Sequence, residues 1–152
     1  MATIYADELV RQRAGRNLQP HEWHGKVREI KYDFAALPAG NVGDVLVLGR
    51  LLKDERILLG AEWHSAGGAG TFHIGTYAIA ADGISLGAVI TAAQFVNGAS
   101  NAVSAAPLLW PLTTATFPNF IATADVFLAI TNVGTAFTTA ARFTGSVLIV
   151  GD

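Results

Sequence analysis

Apolar and polar residues alternate with a period of two in several short runs of this 152-residue chain. From Val27 to Phe34, Ile30, Tyr32 and Phe34 share one face while Glu29, Lys31 and Asp33 share the other. From Ile57 to His64, Ile57, Leu59, Ala61 and Trp63 fall on one face and Glu62 and His64 on the other, with Arg56 just ahead. That phase sends Trp63 into the core. Thr71 to Ala80 places Phe72 and Ile74 together, and Arg142 to Val150 does the same for Phe143, Val147 and Ile149, with Gly145 as a candidate bulge. Val45 to Leu52 and Asp125 to Thr131 are denser apolar runs of strand length. Short period-two runs bounded by Gly and charge predict β-strands. The link Lys53 to Arg56 is short, and parallel strands need a long crossover, so Asp44 to Ala80 is expected to form an antiparallel β-meander.

Between these runs lie turn signals. Ala35 to Gly43 holds a Pro and two Gly, and Ala81-Asp82-Gly83 is a turn in which Gly tolerates positive φ. Ile84 to Asn97 reads either as a two-turn helix ended by Asn97-Gly98 or as a strand. Gly98 to Pro118 carries three prolines and reads as loops with a short strand near Leu108 to Leu112. Seven or eight strands with little helix predict an all-β fold: an antiparallel two-sheet β-sandwich of jelly-roll type, with an ordinary Greek-key sandwich as the near alternative. Residues 1–25 differ in character, mixing charge, Gly, Pro and isolated hydrophobes around a short helical turn at Asp7 to Arg13. They are expected to form an extended N-terminal arm ahead of a sandwich domain at 26–152.

Composition changes the picture in one respect. Counted with Gly, about 60% of the residues are apolar, against ~45–50% in ordinary soluble domains, and only 14% are charged. Of the 22 charged residues, 18 lie between Asp7 and Glu62. The second half of such a sandwich would be poorly solvated alone, so the loops of 84–122 are expected to touch another protein chain. A membrane span is not the explanation: the best apolar run, Ile84 to Val96, is short of the ~20 residues a spanning helix needs, and it contains Gln94. A net charge of -2 gives no pull toward nucleic acid or acidic membrane.

Candidate chemistry is sparse. There is no Cys, so thiolate catalysis, disulfides and zinc–thiolate sites are out. His21 and His24, with His64 and His73 on neighbouring strands, could approach a metal-site pattern, but no clustered carboxylate joins them and they read as surface or loop histidines. No Gly-x-Ser-x-Gly nucleophile context occurs, and the Gly67 to Gly70 loop lacks the Lys and helix of a phosphate cradle. Carboxylate pairs for glycoside hydrolysis sit at strand ends and turns. Neither a catalytic set, a cofactor nor a metal is expected. Of the three tryptophans, Trp23 in the arm and Trp110 between Leu109 and Pro111 are the expected interface anchors, or else the platform of a carbohydrate-binding module.

The opening MATIYAD, the arm up to GKVR, the stretch YDFAALPAGNVGDV, the following DERILLG and the later FHIGTY resemble the capsid cement, or decoration, proteins of short-tailed bacteriophages. The likeness covers most of the first 85 residues. It implies a jelly roll without enzymatic activity, on the outer surface of the virion head after synthesis in the host cytoplasm. Its implied partners are the major capsid protein and other copies of itself, as a homo-dimer or homo-trimer, with no nucleic acid and no membrane. The expected contact residues are Tyr5, Arg11, Arg13, Arg16 and Trp23 in the arm, with Trp110 and Phe117 in the later loops. The alternative is a carbohydrate-binding or receptor-binding module of a phage tail or other virion component.

Overall fold

A computed structural model describes residues 3–5, 27–35, 41–64, 70–100, 107–110, 120–137 and 141–151. Nine strands are seen there: β1 (Thr3–Tyr5), β2 (Val27–Phe34), β3 (Val45–Leu51), β4 (Arg56–His64), β5 (Thr71–Ile79), β6 (Leu86–Ser100), β7 (Leu108–Trp110), β8 (Val126–Asn132) and β9 (Phe143–Val150). They form two sheets, ordered β1-β3-β8-β5-β6 and β2-β9-β4-β7. All pairings are antiparallel except β1 with β3, which is parallel. The expected all-β sandwich is therefore what the chain forms. The ladders β2·β9, β3·β8, β4·β7 and β5·β6 nest like one long hairpin wound up, which is compatible with a jelly roll.

The central meander is not formed. β3 and β4 lie in different sheets, and so do β4 and β5. The short link after β3 is a corner rather than a hairpin. Glu55 N–H donates to the Leu52 carbonyl at 3.1 Å, and Asp54 takes a positive φ of 69°. The backbone of Asp54 and Glu55 bonds to Ala122 instead of closing a β3–β4 ladder. Arg28 of β2 holds this corner with Nε and Nη2 on the Glu55 carboxylate at 2.7 and 2.6 Å, while Glu55 also accepts from Leu52 N–H. Only β5 and β6 remain a hairpin, through the predicted turn, where Asp82 Oδ1 accepts from Ile84 and Ser85 N–H and Gly83 has φ 74°.

Two apolar layers result. The main core fills the space between the sheets with Ile30, Phe34, Leu48, Phe72, Ile74, Leu128, Phe143 and Ile149 among others. A second cluster, Val45, Val47, Tyr77, Phe127 and Ala129, occupies the other face of the five-stranded sheet. β8 is consequently buried at every position, which is why its sequence reads as a continuous apolar run and not as an alternation.

The ambiguous stretch after Gly83 is strand β6, and it is irregular. The nine residues of β5 face fifteen of β6, with four shifts of register. The surplus bulges over Gly75, where an added Cβ would stand 2.1 and 2.3 Å from the carbonyl oxygens of Thr91 and Ala92. Gly75 is thus required for close backbone approach.

Candidate interaction surface

The outward face of the four-stranded sheet is set by one irregularity in β4. Ile57 pairs with Ile149 and Leu59 with Leu148, so two residue steps of β4 oppose one of β9 and Leu58 is extra. The bulge reverses the inside–outside phase of everything after it. Glu62 and His64 turn inward; Leu58, Leu59 and Trp63 are exposed, Trp63 to 49%. The expectation of a core Trp63 is therefore overturned.

Trp110 moves the opposite way. Expected as an exposed anchor, it is 1% exposed and packs in the main core beside Phe95. Its β7 register places it directly opposite Gly60, where an added Cβ would lie 2.3 Å from the indole ring. A large residue facing a glycine fills the inner layer without strain. Trp110 is a structural residue, not an anchor. Gly145 is not a bulge either: the β2–β9 ladder runs through it without a shift, and its missing side chain leaves room for the Tyr32 phenol and the Ala61 carbonyl.

Outward residues of this sheet stand in cross-strand rows. Asp33, Thr144 and Trp63 make one row; Lys31, Ser146, Ala61 and Leu109 make the next; Glu29, Leu148 and Leu59 make a third. β9 carries short side chains in the first two rows: Thr144 lies between Asp33 and Trp63, and Ser146 lies with Ala61 beside Lys31. The result is a groove of about 510 Å³ lined by Glu29, Lys31, Asp33, Trp63, Thr144 and Ser146. Its charges are paired. Arg142 Nε and Nη2 donate to both oxygens of Asp33 at 2.9 and 2.6 Å, and Lys31 lies 3.2 Å from Glu29. The Arg142 guanidinium holds the Asp33 carboxyl below the usual carboxylate range. Exposed Leu59, Leu109 and Val27 continue the surface as an apolar band.

Beneath this face lies a buried polar pair. Glu62 is 0% exposed; its Oε1 is 3.1 Å from His64 Nδ1, and Tyr32 Oη lies 3.5 Å from Oε2, long for a hydroxyl–carboxylate bond. Burial pushes the Glu62 carboxyl up, against the lowering effect of His64, and burial with the nearby carboxylate pushes the Tyr32 phenol well up. His64 stacks on Phe143 and meets Phe72 edge-on. Enclosed by aromatics, this pair is core architecture.

His64, read from the sequence as a surface or loop histidine on a strand next to that of His73, is instead buried at the end of β4. His64 and His73 lie in different sheets, and His73 Nδ1 accepts from Gly98 N–H at 2.9 Å. Among the described residues, no three His, Cys, Asp or Glu gather in a metal-binding group. Tyr5 ends β1, its backbone opposite Val47. Arg11, Arg13, Arg16, Trp23, Phe117, His21 and His24 lie outside the described residues.

A second surface is the β6 edge. It is the last strand of its sheet, and Val89 and Ile90 are both more than half exposed. No charged residue or proline occurs from Gly83 to Ser100. Natural edge strands usually carry such residues to block pairing with other chains. β2, at the edge of the other sheet, does carry them, in Glu29, Lys31 and Asp33.

Among the described residues, the fold is an all-β sandwich with exposed apolar side chains on the four-stranded sheet and with β6 as the last strand of the other. No protein-family model matches the chain, and no curated protein matches it in sequence. Two solved structures share its fold. A chain in the capsid of Ralstonia phage GP4 superposes with a TM-score of 0.70 at 16% identity, covering 99% of each chain. A chain in the capsid asymmetric unit of cyanophage Pam1 gives a TM-score of 0.58 at 12% identity, over 90% of this chain and 92% of the other. At these identities the likeness is one of fold.

Proposed function

We propose that this chain is a structural protein of a phage particle: a cement protein that associates with itself and bridges major capsid protein subunits on the outer surface of the head. It performs no catalysis in this role. The observation that carries the reading is the full-length fold shared with a chain of the Ralstonia phage GP4 capsid, end to end in both chains. Three features of the molecule support it. Apolar content is high, and 18 of the 22 charged residues lie between Asp7 and Glu62. Leu58, Leu59 and Leu109 are exposed on one sheet. β6, last in its sheet among the described residues, carries exposed Val89 and Ile90 and no charge, which suits self-association.

Bridging needs no tight single contact. A standard interface buries roughly 1,600 Å² in total. Repeated over a symmetric shell, modest contacts accumulate by avidity. Residues 1–25, with Tyr5, Arg11, Arg13, Arg16 and Trp23, are the proposed shell-binding arm, and Phe117 a further contact. The test is co-sedimentation with empty heads of the full chain and of a variant with Arg11, Arg13, Arg16 and Trp23 changed to Ala, which leaves strand β1 in place. The full chain is expected to pellet with the heads and the variant to stay in solution while keeping its β-sheet circular dichroism. Equal binding by both removes the arm from the proposal.

A further inference from the structure

We infer that the groove across β2, β9 and β4 is a binding site for a neutral saccharide, with one sugar ring stacked on Trp63. The groove of about 510 Å³ is shallow and largely open to solvent, a shape that suits a sugar ring laid against an aromatic side chain. Its construction selects the ligand class. One wall is a half-exposed indole, an apolar face suited to the C–H side of a pyranose ring. The floor is Thr144 and Ser146, which offer hydroxyls to a polyhydroxyl ligand. The far wall is Lys31 and Asp33, in cross-strand register with Ser146 and Thr144.

Charge then narrows the choice. Asp33 is held by both nitrogens of Arg142, and Lys31 is paired with Glu29. Two acids and two bases cancel around the groove, so neither an anion nor a cation is drawn in. Hydrogen-bonding capacity and one aromatic face remain. A protein partner would need a broad apolar platform, and that lies further along the sheet at Leu59 and Leu109. The site is independent of shell binding: a decorating chain could display it, and so could any other protein with this fold.

The experiment is binding of the full-length chain to immobilised neutral oligosaccharides of glucose, galactose, mannose and N-acetylglucosamine, with sulfated heparin chains as the charged comparison. Trp63→Ala and Trp63→Phe are tested alongside, with thermal melts to confirm folding; an outward, half-exposed side chain leaves the core untouched. Expected is binding to at least one neutral family, weakened about tenfold or more by Trp63→Ala and less by Trp63→Phe. Binding to no neutral sugar, binding that ignores Trp63, or a preference for heparin overturns the inference. So does a Trp63→Ala protein that loses head binding while no sugar is bound, which would make the groove a protein contact.

Discussion

At Leu58 one extra residue sends Glu62 and His64 into the core and Trp63 into solvent, and the consequences are measurable side chain by side chain. Burial raises the Glu62 carboxyl above its ordinary value. The folded chain therefore holds that proton more tightly than the unfolded chain, where the carboxyl titrates near ~4.3. The stability this contributes is complete below that value and is lost as pH rises through the raised folded value. Glu62→Gln keeps an acceptor for His64 and removes the titration. In urea denaturation across pH, the variant is expected to gain on the native chain from about pH 4 upward and then hold a constant lead. Parallel stability curves would contradict this. Asp33 and Asp125 are shifted the other way, lowered by the Arg142 hydrogen bond and by the Lys53 N–H bond respectively. They weaken both proteins equally in acid and cancel in the difference. Gly60 gives a second residue-scale prediction: Gly60→Ala drives a Cβ into the Trp110 ring and is expected to cost about 1–3 kcal/mol.

Among the elements, β2 was fully legible from its letters, since Ile30, Tyr32 and Phe34 face in and Glu29, Lys31 and Asp33 face out as their alternation predicts. β4 was legible only to its bulge; the three successive apolar residues Ile57-Leu58-Leu59 ahead of Gly60 are the one local hint that alternation breaks there. The pairing partners were hidden. A four-residue link reads equally as a hairpin or as a corner, and the choice is made by Arg28, Glu55 and Ala122, far apart in sequence. Removing that anchor by Arg28→Ala leaves the largely buried Glu55 carboxylate without its cation, an expected loss of about 3 kcal/mol in chemical denaturation. Trp63 and Trp110 exchanged places because exposure depends on register, which no single residue type announces. β6 was ambiguous because Gly75, not its own sequence, makes room for its bulge. Its exposed, uncharged Val89 and Ile90 predict that Val89→Lys with Ile90→Lys lowers the oligomer fraction in analytical ultracentrifugation while leaving the melting temperature nearly unchanged. An unchanged distribution would place self-association elsewhere.

The whole molecule joins an unusually apolar, weakly charged sequence to a sandwich whose five-stranded sheet is buried on both faces at β8 and whose four-stranded sheet exposes Leu58, Leu59 and Leu109 beside a polar groove. Such a molecule is expected to associate as its concentration rises, and strong denaturing salt should not be needed to hold it monomeric when dilute. The central claim is that other virion subunits cover the β6 edge and the apolar band at Leu59 and Leu109, leaving the groove beside Trp63 free. The most direct measurement is to sediment empty phage heads with the purified chain and to image the pelleted heads. Saturable binding at symmetric outer positions, with heads that survive higher temperature than bare ones, is the predicted result. A chain that stays in the supernatant and leaves head stability unchanged would contradict it.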